Sequence, residues 1–390
     1  MTSIQNVVIL GAGTMGRGIG QVALMAGYNV TIVDINEEFV ENGRAEINKD
    51  MKKLESKGLL DEGKTAADYM KEFKKSIDIT TAVKDADLVI EAVIEKLNIK
   101  KEVCKKVMNN SPDYCIFASN TSTMSITDIG KKSGRSENVI GMHFFNPAPL
   151  MKLVEVIYSE NSSDKSINIG IEFAKTLPCL RGKRYVAKVL KDRPGFIVNR
   201  INAPVQIYLN WVFDQAAERN ITWEQIDADA GKIMPMGPCE LTDYSGLDIM
   251  KHTCEYYEKT LSTDFKISKI VLDMIEKGNL GAKTGRGFFD WSKGRPKIDK
   301  SKKAGLFELN ISMAIMLNEG CRILGEGVVS GYKIIDKANM AGMNVPGPFG
   351  IGKNDWEQSV KLLEDIAEKT EKSYLNPCTL LKNGEFLKMR

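Results

Sequence analysis

The stretch Val7–Gly16, VVILGAGTMG, decides the fold of the amino-terminal half of this chain. Its first four residues are an apolar run with the length of a strand that is buried on both faces of a parallel sheet. The next six match the pattern GxGxxG and open a helical periodicity, and a second apolar run, Val30–Val33, follows. Asp34 ends that run, 21 residues after Gly13. A strand, a glycine turn, a helix, a second strand and an acid at this spacing predict a βαβ unit that binds a dinucleotide.

Each residue of the glycine turn has a separate role in such a unit. Gly11 permits the tight turn, Gly13 lets a pyrophosphate approach the backbone, and Gly16 lets the helix pack against the strand. Thr14 and Met15 belong to the start of the helix, where unpaired N–H groups and the positive end of the dipole favour a phosphate. We therefore expect all five residues to contact the cofactor.

The acid at the end of the second strand indicates which dinucleotide is bound. Asp34 is placed to accept hydrogen bonds from the ribose hydroxyls. Its carboxylate would repel a 2′-phosphate, so the sequence favours NAD(H) over NADP(H). A glycine turn that matches the pattern by chance is the alternative, and the complete βαβ context disfavours it.

Residues 36–80 are charged and read as helical, and they are too long for a simple Rossmann crossover. They predict an inserted pair of helices. Most of the lysines in this segment are expected on a solvated amphipathic surface. Lys53 and Lys57 are candidates for contact with the phosphates of a substrate.

Polar residues follow two further predicted strands, Asp87–Val93 and Cys115–Ala118. Glu95 and Lys100 come after the first of them, and the small polar run Ser119–Thr123 comes after the second. Ligands bind at this edge of open parallel sheets, so both are candidate binding positions. The run of small polar residues also suits the N-terminus of the next helix, and both interpretations stay open.

The stretch Gly141–Glu155 carries one of the two histidines of the chain, His143. Two prolines keep it out of a helix, and it continues into an apolar predicted strand that holds Glu155. An imidazole exchanges a proton near neutral pH. A carboxylate on an apolar strand needs a partner, because an unpaired buried charge is costly. We therefore expect these two side chains to pair. The other histidine, His252, lies in a helical pattern and is expected to be a surface histidine or one with satisfied hydrogen bonds, not a catalyst.

The hydrophobic pattern changes at Asp192–Phe196, and a periodicity of 3.6 residues dominates from Ile197 onward. This predicts a long helix that starts near Ile197 and an all-α second half. The charged, glycine- and proline-containing segment Ser292–Lys303 has the composition of a linker.

The helical half contains a weak internal repeat. Phe307–Asn310 resembles Phe196–Asn199, and Gly347–Phe349 resembles Gly237–Cys239 at an offset of 110 residues. The predicted fold class is α/β, a Rossmann domain with a helical-pair insertion, followed by duplicated all-α domains. The predicted ranges are 1–191 for the Rossmann domain, 192–296 for the helical domain and 304–390 for a degenerate second copy with a packing role.

Length and composition bound the class of protein. A chain of 390 residues with 43% hydrophobic residues is expected to form two or three domains. A net charge of +3 excludes a bulk electrostatic attraction to nucleic acid. Seven cysteines without CxxC spacing argue against a disulfide framework or a zinc site and suit a reducing cytoplasm. We expect neither a signal peptide nor a membrane span, since there is no apolar run of about 18 residues.

Five motifs, taken together and in order, resemble those of the L-3-hydroxyacyl-CoA dehydrogenases, including the 3-hydroxybutyryl-CoA dehydrogenases. They are GAGTMG at 11–16, SNTS at 119–122, HFFNP at 143–147, MKLVE at 151–155 and PGFIVNR at 194–200. The resemblance runs from about residue 5 to residue 291. It implies oxidation of the 3-hydroxyl of a (3S)-acyl-CoA to a ketone with NAD, or the reverse reaction, with 3-hydroxybutyryl-CoA as the expected short-chain substrate.

The resemblance also implies a role for each residue of the site. His143 would be the general base that takes the hydroxyl proton, and Glu155 would orient it and favour its imidazolium form. Ser122 and Asn199 would donate hydrogen bonds to substrate oxygens and stabilise enolate-like charge. Asn199 belongs to the helical domain, so this catalytic set would form across a cleft between domains.

The resemblance further implies how the ligands are held and how the chain assembles. The residues expected to contact NAD are Asp34, Glu95, Lys100, Ser122 and Asn146. The CoA phosphates would lie near Lys53 and Lys57 of the insertion. Relatives with one helical domain form homodimers through it, so a second copy implies either a monomer with an internal pseudo-dimer or a homodimer. The chain has no room before Val7 for the enoyl-CoA hydratase domain of multifunctional relatives, so no hydratase activity is expected.

Two other functions are compatible with parts of this sequence. The β-hydroxyacid dehydrogenases also join a Rossmann domain to a helical one, but they use a lysine as acid/base, and the His143 and Glu155 pair argues against them. A non-enzymatic NAD-binding protein, crystallin-like or sensory, is disfavoured because Ser122 and Asn199 are present as well.

Overall fold

The computed structural model describes residues 4–231, 234–299 and 301–390. The chain forms two compact units. The first consists of residues 1–198 with two later segments, 327–330 and 334–347. The second consists of the rest of the carboxy-terminal half, residues 199–326, 331–333 and 348–390.

A single sheet organises the first unit. Within the described residues its strands are β1 (Asn6–Leu10), β2 (Asn29–Val33), β3 (Phe73–Ser76), β4 (Leu88–Glu91), β5 (Ile116–Ser119), β6 (Val139–Phe144), β7 (Leu153–Tyr158) and β8 (Tyr185–Val189). Their order is β3-β2-β1-β4-β5-β6-β7-β8, and neighbours run parallel except β6 and β7. The predicted Rossmann sheet is confirmed, and β1 and β4 flank the point where the strand order reverses, which is where such folds bind ligands.

Helices pack against this sheet as the βαβ pattern requires. In the described part of the first unit they are α1 (Thr14–Met25), α2 (Glu37–Glu55), α3 (Ala66–Met70), α4 (Ile79–Ala82), α5 (Leu97–Asn110), α6 (Ile126–Gly130) and α7 (Asp164–Thr176). Helix α1 begins at the glycine turn and buries Ile19, Val22 and Ala23 in the core below the sheet. The turn is therefore held between a buried strand and a buried helix.

The insertion at residues 36–80 differs from its prediction in one respect. Helix α2 is capped by the Asn36 side chain, and the short α3 is capped by a box between Thr65 and Asp68. The expectation that the whole segment is helical is wrong at β3, which adds an edge strand to the sheet. Two of the four residues of this strand are exposed lysines, so it lacks the apolar alternation that identifies a strand in a sequence.

The second half of the chain is helical, as predicted. Its described helices are α8 (Val198–Asn202), α9 (Val205–Glu218), α10 (Trp223–Asp229), α11 (Pro238–Ser245), α12 (Leu247–Thr260), α13 (Lys269–Glu276), α14 (Leu309–Gly325), α15 (Tyr332–Met343), α16 (Pro348–Gly352), α17 (Trp356–Thr370) and α18 (Thr379–Lys382). The prediction of one long helix from Ile197 is wrong. The helix is divided into α8 and α9, because Pro204 lacks the N–H that would continue the backbone hydrogen bonds. None of the described helices is long and apolar enough to cross a membrane.

Two buried asparagines repeat one arrangement inside the second unit. Oδ1 of Asn210 accepts the N–H of Ser268 at 2.9 Å, and Oδ1 of Asn318 accepts the N–H of Cys378 at 2.8 Å. Ser268 and Cys378 are the residues that precede α13 and α18. The second pair follows the first by 108 and 110 residues, close to the offset of the sequence repeat. This arrangement favours a duplication, while the three domain ranges stay a prediction.

The predicted linker is fastened to the second unit. Ser292–Lys303 is described except for Lys300, which lies outside the described residues. Nη2 of Arg295 lies 3.2 Å from Oε2 of Glu240. The carboxylate of Asp229 then accepts the N–H groups of residues 304–307 at 2.8–3.0 Å. Its charged composition resembles a linker because these contacts use single side chains rather than an apolar face.

Candidate active site

His143 and Glu155 face each other on the antiparallel strands β6 and β7, where they are directly paired in register. Nδ1 of His143 lies 2.7 Å from Oε2 of Glu155. Both side chains are buried, at 7% and 0% exposure. The expected pairing of these two residues is confirmed. Because the imidazole uses Nδ1 for this contact, Nε2 is the ring nitrogen left to exchange a proton with a ligand.

The second oxygen of Glu155 is held by the backbone. Oε1 accepts the N–H of Ile197 at 3.2 Å and the N–H of Val198 at 3.1 Å. These are among the first N–H groups of α8, which have no partner within the helix. The buried carboxylate is thus satisfied by three donors, and its position is fixed from two sides.

Aromatic rings enclose the imidazole. The ring centroid of Phe145 lies 4.5 Å from that of His143, and the centroid of Phe196 lies 5.8 Å away. Phe196 has a φ of 53°, a left-handed conformation that costs a bulky residue about 1 to 3 kcal/mol. The fold therefore accepts local strain in order to place this ring against the histidine.

The loop after β5 is tied to the strand that carries the histidine. Oδ1 of Asn120 accepts the N–H of Phe144 at 2.8 Å, next to His143 in the chain. Ser119 and Thr121 are buried, whereas Ser122 is half-buried. The N-terminus of α6 is capped instead by Ser125. The loop thus connects β5 to α6 at the carboxyl-terminal edge of the parallel strands, where such sheets bind ligands (the ligand edge). The interpretation of this run as a helix cap is wrong by two residues.

Glu95 connects that loop to the neighbouring one. Its carboxylate accepts the hydroxyl of Thr121, the N–H of Ser122 at 3.3 Å and the hydroxyl of Thr123 at 3.3 Å. Nζ of Lys100 lies 3.0 Å from its other oxygen. The side chain is still 42% exposed, so Glu95 organises the ligand edge and also reaches the solvent there.

Lys100 is buried, at 1% exposure, and it lies beneath this edge. Nζ is 2.6 Å from Oε1 of Glu91, the last residue of β4, which is itself fully buried. The other oxygen of Glu91 accepts the hydroxyl of Ser119 at 2.6 Å. This buried network joins β4, α5 and β5 at the place where their loops must form the binding edge.

The glycine turn has the geometry that a dinucleotide requires. Gly11 has a φ of +107°, which favours glycine. A Cβ on Gly16 would lie 1.8 Å from the carbonyl oxygen of Gly11, so only glycine allows helix and turn to approach this closely. A Cβ on Gly13 would meet no atom of the described residues within 4 Å, apart from its chain neighbours. That open space beside the N-terminus of α1 fits the approach of a pyrophosphate.

Asp34 stabilises the glycine turn and lies at the ligand edge of the sheet, directly after β2. Oδ2 accepts the N–H of Ala12 at 2.6 Å, and Oδ1 accepts the N–H of Ile35 at 2.7 Å. The residue is half-buried, so part of the carboxylate is open to a ligand. A carboxylate in this position fits a ribose diol and disfavours a 2′-phosphate.

A cleft lies beside the start of α1. Thr14, Arg17 and Glu46 line it together with Asn146. Asn146 is exposed, and Met15 is half-buried at the same helix start. Arg17 is a cation at this edge that the sequence pattern did not single out. Arg17 directly follows Gly16, the last glycine of the GxGxxG pattern. A basic residue next to this pattern is the sequence signal for it.

Lys53 lies in the last turn of α2, and Lys57 follows the end of this helix. Both are exposed, while Met51 and Leu54 bury the opposite face. Asn199 belongs to the second unit, where it is half-buried and its carbonyl accepts the N–H of Ala203 at 3.0 Å. The first unit by itself thus brings together His143, Glu155, Ser122, Glu95 and Lys100 among the predicted residues.

Besides Arg17, three further contributors to the site do not follow from the sequence pattern. They are the buried carboxylate of Glu91 and the rings of Phe145 and Phe196. Glu91 carries the same signal as Glu155, an acid on an apolar strand, and the same rule would have found it. The two rings look like ordinary core residues in the sequence, because their contact with the histidine is made only by folding.

Comparison with known proteins gives a consistent family. The NAD-binding domain of the 3-hydroxyacyl-CoA dehydrogenases matches residues 6–187, and their C-terminal domain matches residues 195–291. The chain is 34% identical over 296 residues to the mitochondrial hydroxyacyl-coenzyme A dehydrogenase of Sus scrofa, covering 74% of this chain and 91% of the relative. It is 37% identical over 289 residues to a probable 3-hydroxybutyryl-CoA dehydrogenase of Deinococcus radiodurans, covering 73% of this chain and 99% of the relative.

Two crystal structures share the fold. A 3-hydroxybutyryl-CoA dehydrogenase from Escherichia coli matches with a TM-score of 0.85 at 26% identity, over 99% of this chain and 99% of that one. A (S)-3-hydroxybutyryl-CoA dehydrogenase from Ralstonia eutropha matches with a TM-score of 0.66 at 35% identity, over 74% of this chain and 99% of that one. With both halves of its first 291 residues matched and a glycine turn that fits NAD, the chain belongs to the 3-hydroxyacyl-CoA dehydrogenase family of NAD-dependent enzymes.

Proposed function

We propose that this protein interconverts (3S)-3-hydroxyacyl-CoA and 3-oxoacyl-CoA with NAD, on short acyl chains such as the 3-hydroxybutyryl group, and that His143 is its acid/base. The observation that carries the proposal is the buried contact of 2.7 Å between His143 and Glu155. Family membership supports the reaction type, and it disfavours a β-hydroxyacid dehydrogenase or a non-enzymatic NAD-binding protein.

The pair supplies the proton chemistry of the reaction. Nδ1–H of His143 donates to Glu155, so the neutral imidazole presents the lone pair of Nε2 to the substrate hydroxyl. When Nε2 takes the proton, the positive charge of the imidazolium lies against the carboxylate and is stabilised there. Bound NAD supplies the acceptor or donor of the hydride. Burial of the pair limits exchange of the proton with bulk water.

The ligand edge of the first unit would hold the cofactor. The turn residues Gly11, Gly13 and Gly16 and the helix start at Thr14 and Met15 would face the pyrophosphate. In the same proposal Asp34 takes the ribose hydroxyls, and the edge residues Glu95, Ser122 and Asn146 take the remaining contacts. The open space at Gly13 supports this assignment more directly than any charge does.

Lys100 has a different role in the proposal from the one that its sequence position predicts. Its ammonium is 1% exposed and is engaged by Glu91 and Glu95. We propose that it positions Glu95 and the loop at Ser122 rather than touching NAD itself. A buried cation between two carboxylates fixes both of them, which suits a supporting role.

Substrate binding is proposed for four residues. Ser122 and Asn199 would hydrogen-bond the substrate oxygens and stabilise the enolate-like charge. Lys53 and Lys57 would meet the CoA phosphates. Lys53 lies in the last turn of α2 and Lys57 just after this helix. The exposure of both lysines supports this part of the proposal, since ammonium groups on flexible stems suit a phosphate.

The reaction is tested by following NADH consumption with acetoacetyl-CoA. The wild type is expected to consume NADH, and His143→Ala is expected to lose turnover. His252→Ala is the matched control, because His252 is exposed on α12 and is expected to keep its activity. Near-normal rates in His143→Ala would contradict the acid/base assignment, and an inactive wild type would contradict the proposed reaction.

The preference for short chains is tested with a series of 3-oxoacyl-CoA substrates of increasing length. Two relatives named as 3-hydroxybutyryl-CoA dehydrogenases support a maximum of kcat/KM at four carbons. A maximum at long chains would contradict this part of the proposal and leave the reaction type intact.

We also propose that the helical copy at 304–390 takes the place of a partner domain, so that the chain acts as a monomer with an internal pseudo-dimer in the cytoplasm. The repeated contacts of Asn210 and Asn318 support the duplication. The seven free thiols support a reducing compartment. Light scattering should give the mass of one chain, and the mass of two would favour a homodimer. A fluorescent fusion that accumulates in an organelle, as the names of mitochondrial relatives allow, would contradict the location.

A further inference from the structure

A segment of the carboxy-terminal half belongs to the first unit. Residues 334–347, which include most of α15, are grouped with the Rossmann sheet and not with the second unit. The buried face of this segment includes Ile335, Ala338 and Asn339, each at 0% exposure. These positions and Gly342 recur with the spacing of one helix face, so Gly342 lies on the buried face of this helix.

Gly342 marks the closest approach of this helix. A Cβ on it would lie 2.8 Å from Cδ2 of Leu153, 3.4 Å from Cε1 of Phe145 and 3.5 Å from Cγ2 of Val198. A distance of 2.8 Å is shorter than carbon atoms tolerate, so any larger residue would force a neighbour to move. Glycine also weakens a helix relative to alanine, so its presence here has a cost that the close contact offsets.

All three neighbours of Gly342 adjoin the His143 and Glu155 pair. Phe145 covers the imidazole, with ring centroids 4.5 Å apart. Val198 donates its N–H to Oε1 of Glu155 at 3.1 Å. Leu153 lies two residues before Glu155 on β7, so both side chains point to the same face of the sheet.

The three neighbours of Gly342 belong to the packed interior of the first unit. Leu153 and Val198 are fully buried and Phe145 nearly so, and interiors of this density transmit a displacement to the next contact. A displacement of Phe145 would move the imidazole of His143, which its ring covers. A displacement of Val198 would move the carboxylate of Glu155, to which its N–H donates. The helix therefore contacts both members of the pair through one intermediate residue each.

We propose that Gly342 is a positioning residue, through which α15 holds Phe145 and Val198 so that His143 and Glu155 keep the geometry for proton exchange. The inference rests on the proposed acid/base role of this pair. It gives the carboxy-terminal copy a part in catalysis beyond packing. It also predicts that a substitution at Gly342 in α15, 199 residues after His143 in the chain, alters the reaction at His143.

The test compares Gly342→Ala with Gly325→Ala in the full-length protein. Gly325 ends α14. Outside its own turn, the nearest atom to a Cβ there would be Cδ2 of Leu380 at 4.0 Å, so the control adds the same methyl group without a clash. Gly342→Ala is expected to lower kcat by about tenfold to a hundredfold, the range typical of small misplacements of a reacting group. KM for NADH should stay within about twofold, and the pH at which kcat is half-maximal should shift. Gly325→Ala should match the wild type in all three.

A rescue variant separates positioning from stability. Leu153→Val removes the Cδ2 atom that the new methyl would strike, so Gly342→Ala with Leu153→Val should recover most of the kcat lost in Gly342→Ala. If Gly342→Ala alone fails to fold, the double variant against Leu153→Val alone carries the same comparison.

Two results would overturn the inference. One is a Gly342→Ala variant that melts at a lower temperature yet keeps the kcat and pH profile of the wild type, which would leave a packing role only. The other is a folded double variant that stays as slow as Gly342→Ala. A wild type that is inactive, or an active His143→Ala, would overturn the proposed function, and the inference would fall with it.

Discussion

His143 and Glu155 are directly opposite each other in the register of β6 and β7, with Nδ1 and Oε2 2.7 Å apart. A slip of one residue between these strands would send the two side chains to opposite faces of the sheet. The site is therefore specified by the same strand pairing that builds the core. Activity and correct folding of this edge of the sheet are coupled for that reason.

Glu155→Gln tests the pair without changing its size. The amide cannot stabilise an imidazolium by charge, and it can turn its NH₂ group toward Nδ1 and select the wrong tautomer. We expect kcat to fall by about 10²- to 10⁴-fold, with KM for NADH nearly unchanged. Glu160→Gln, at an exposed position after β7, should behave as the wild type. Equal rates in both variants would contradict the role of Glu155.

Two glycines of the turn should respond differently to alanine. Gly13 has a φ of −70° and open space around it, so Gly13→Ala should fold as the wild type does and bind NADH more weakly. Gly16→Ala places a methyl 1.8 Å from the carbonyl of Gly11 and should lower the melting temperature by itself. The measurements are thermal unfolding and NADH binding by fluorescence. Unchanged NADH affinity in a folded Gly13→Ala would argue against the assigned pyrophosphate position.

The buried ion pair under the ligand edge should contribute strongly to stability. Lys100→Met leaves the carboxylate of Glu91 buried without a cation, which is expected to cost about 3 to 5 kcal/mol of the free energy of unfolding. Urea denaturation measures this. Lys64→Met breaks an exposed ion pair, in which the side chains of Lys64 and Asp61 are 50% and 64% exposed. This substitution should change the free energy of unfolding much less. Equal effects of the two substitutions would contradict the burial of Lys100.

Among the thiols whose pKa the protein environment shifts, Cys378 should react at the lowest pH. A hydrogen bond from the Cys321 thiol lowers the pKa of Cys378 to about 7, while burial raises the pKa of Cys254 to about 11. Since the thiolate is the reactive form, alkylation of Cys378 by iodoacetamide should rise through about pH 7 and be slow below it. Cys321→Ala removes the donor, so the midpoint should move to higher pH. Peptide mass mapping across a pH series measures both, and an unshifted midpoint would contradict the Cys321 contact.

Local sequence patterns predict those elements of the fold that have a regular hydrophobic periodicity or a characteristic spacing. The apolar run, the glycine turn and the acid at Asp34 predicted the βαβ unit, because each element has a periodicity or spacing of its own. The edge strand Phe73–Ser76 does not show such a pattern, because two of its four residues are exposed lysines. The helix from Ile197 was predicted too long because its apolar periodicity continues across Pro204, whereas the backbone hydrogen bonds do not.

The candidate site divides in the same way. His143 and Glu155 could be predicted because a rare imidazole and an acid on an apolar strand each demand a partner. The placement of Lys100 could not, because a lysine five residues after Glu95 looks the same in a sequence whether it faces a ligand or the core. Its burial depends on Glu91 and on the loop above it.

The sequence by itself determined the dinucleotide unit, the preference for NAD and the pairing of His143 with Glu155, since these depend on residue chemistry at short spacing. Only the tertiary structure decided that Lys100 lies under the ligand edge and that Gly342 reaches Phe145, Leu153 and Val198. The physical reason is that these contacts join segments far apart in the chain. Their existence depends on which faces meet when the core closes, and the periodicity of neither segment specifies that choice.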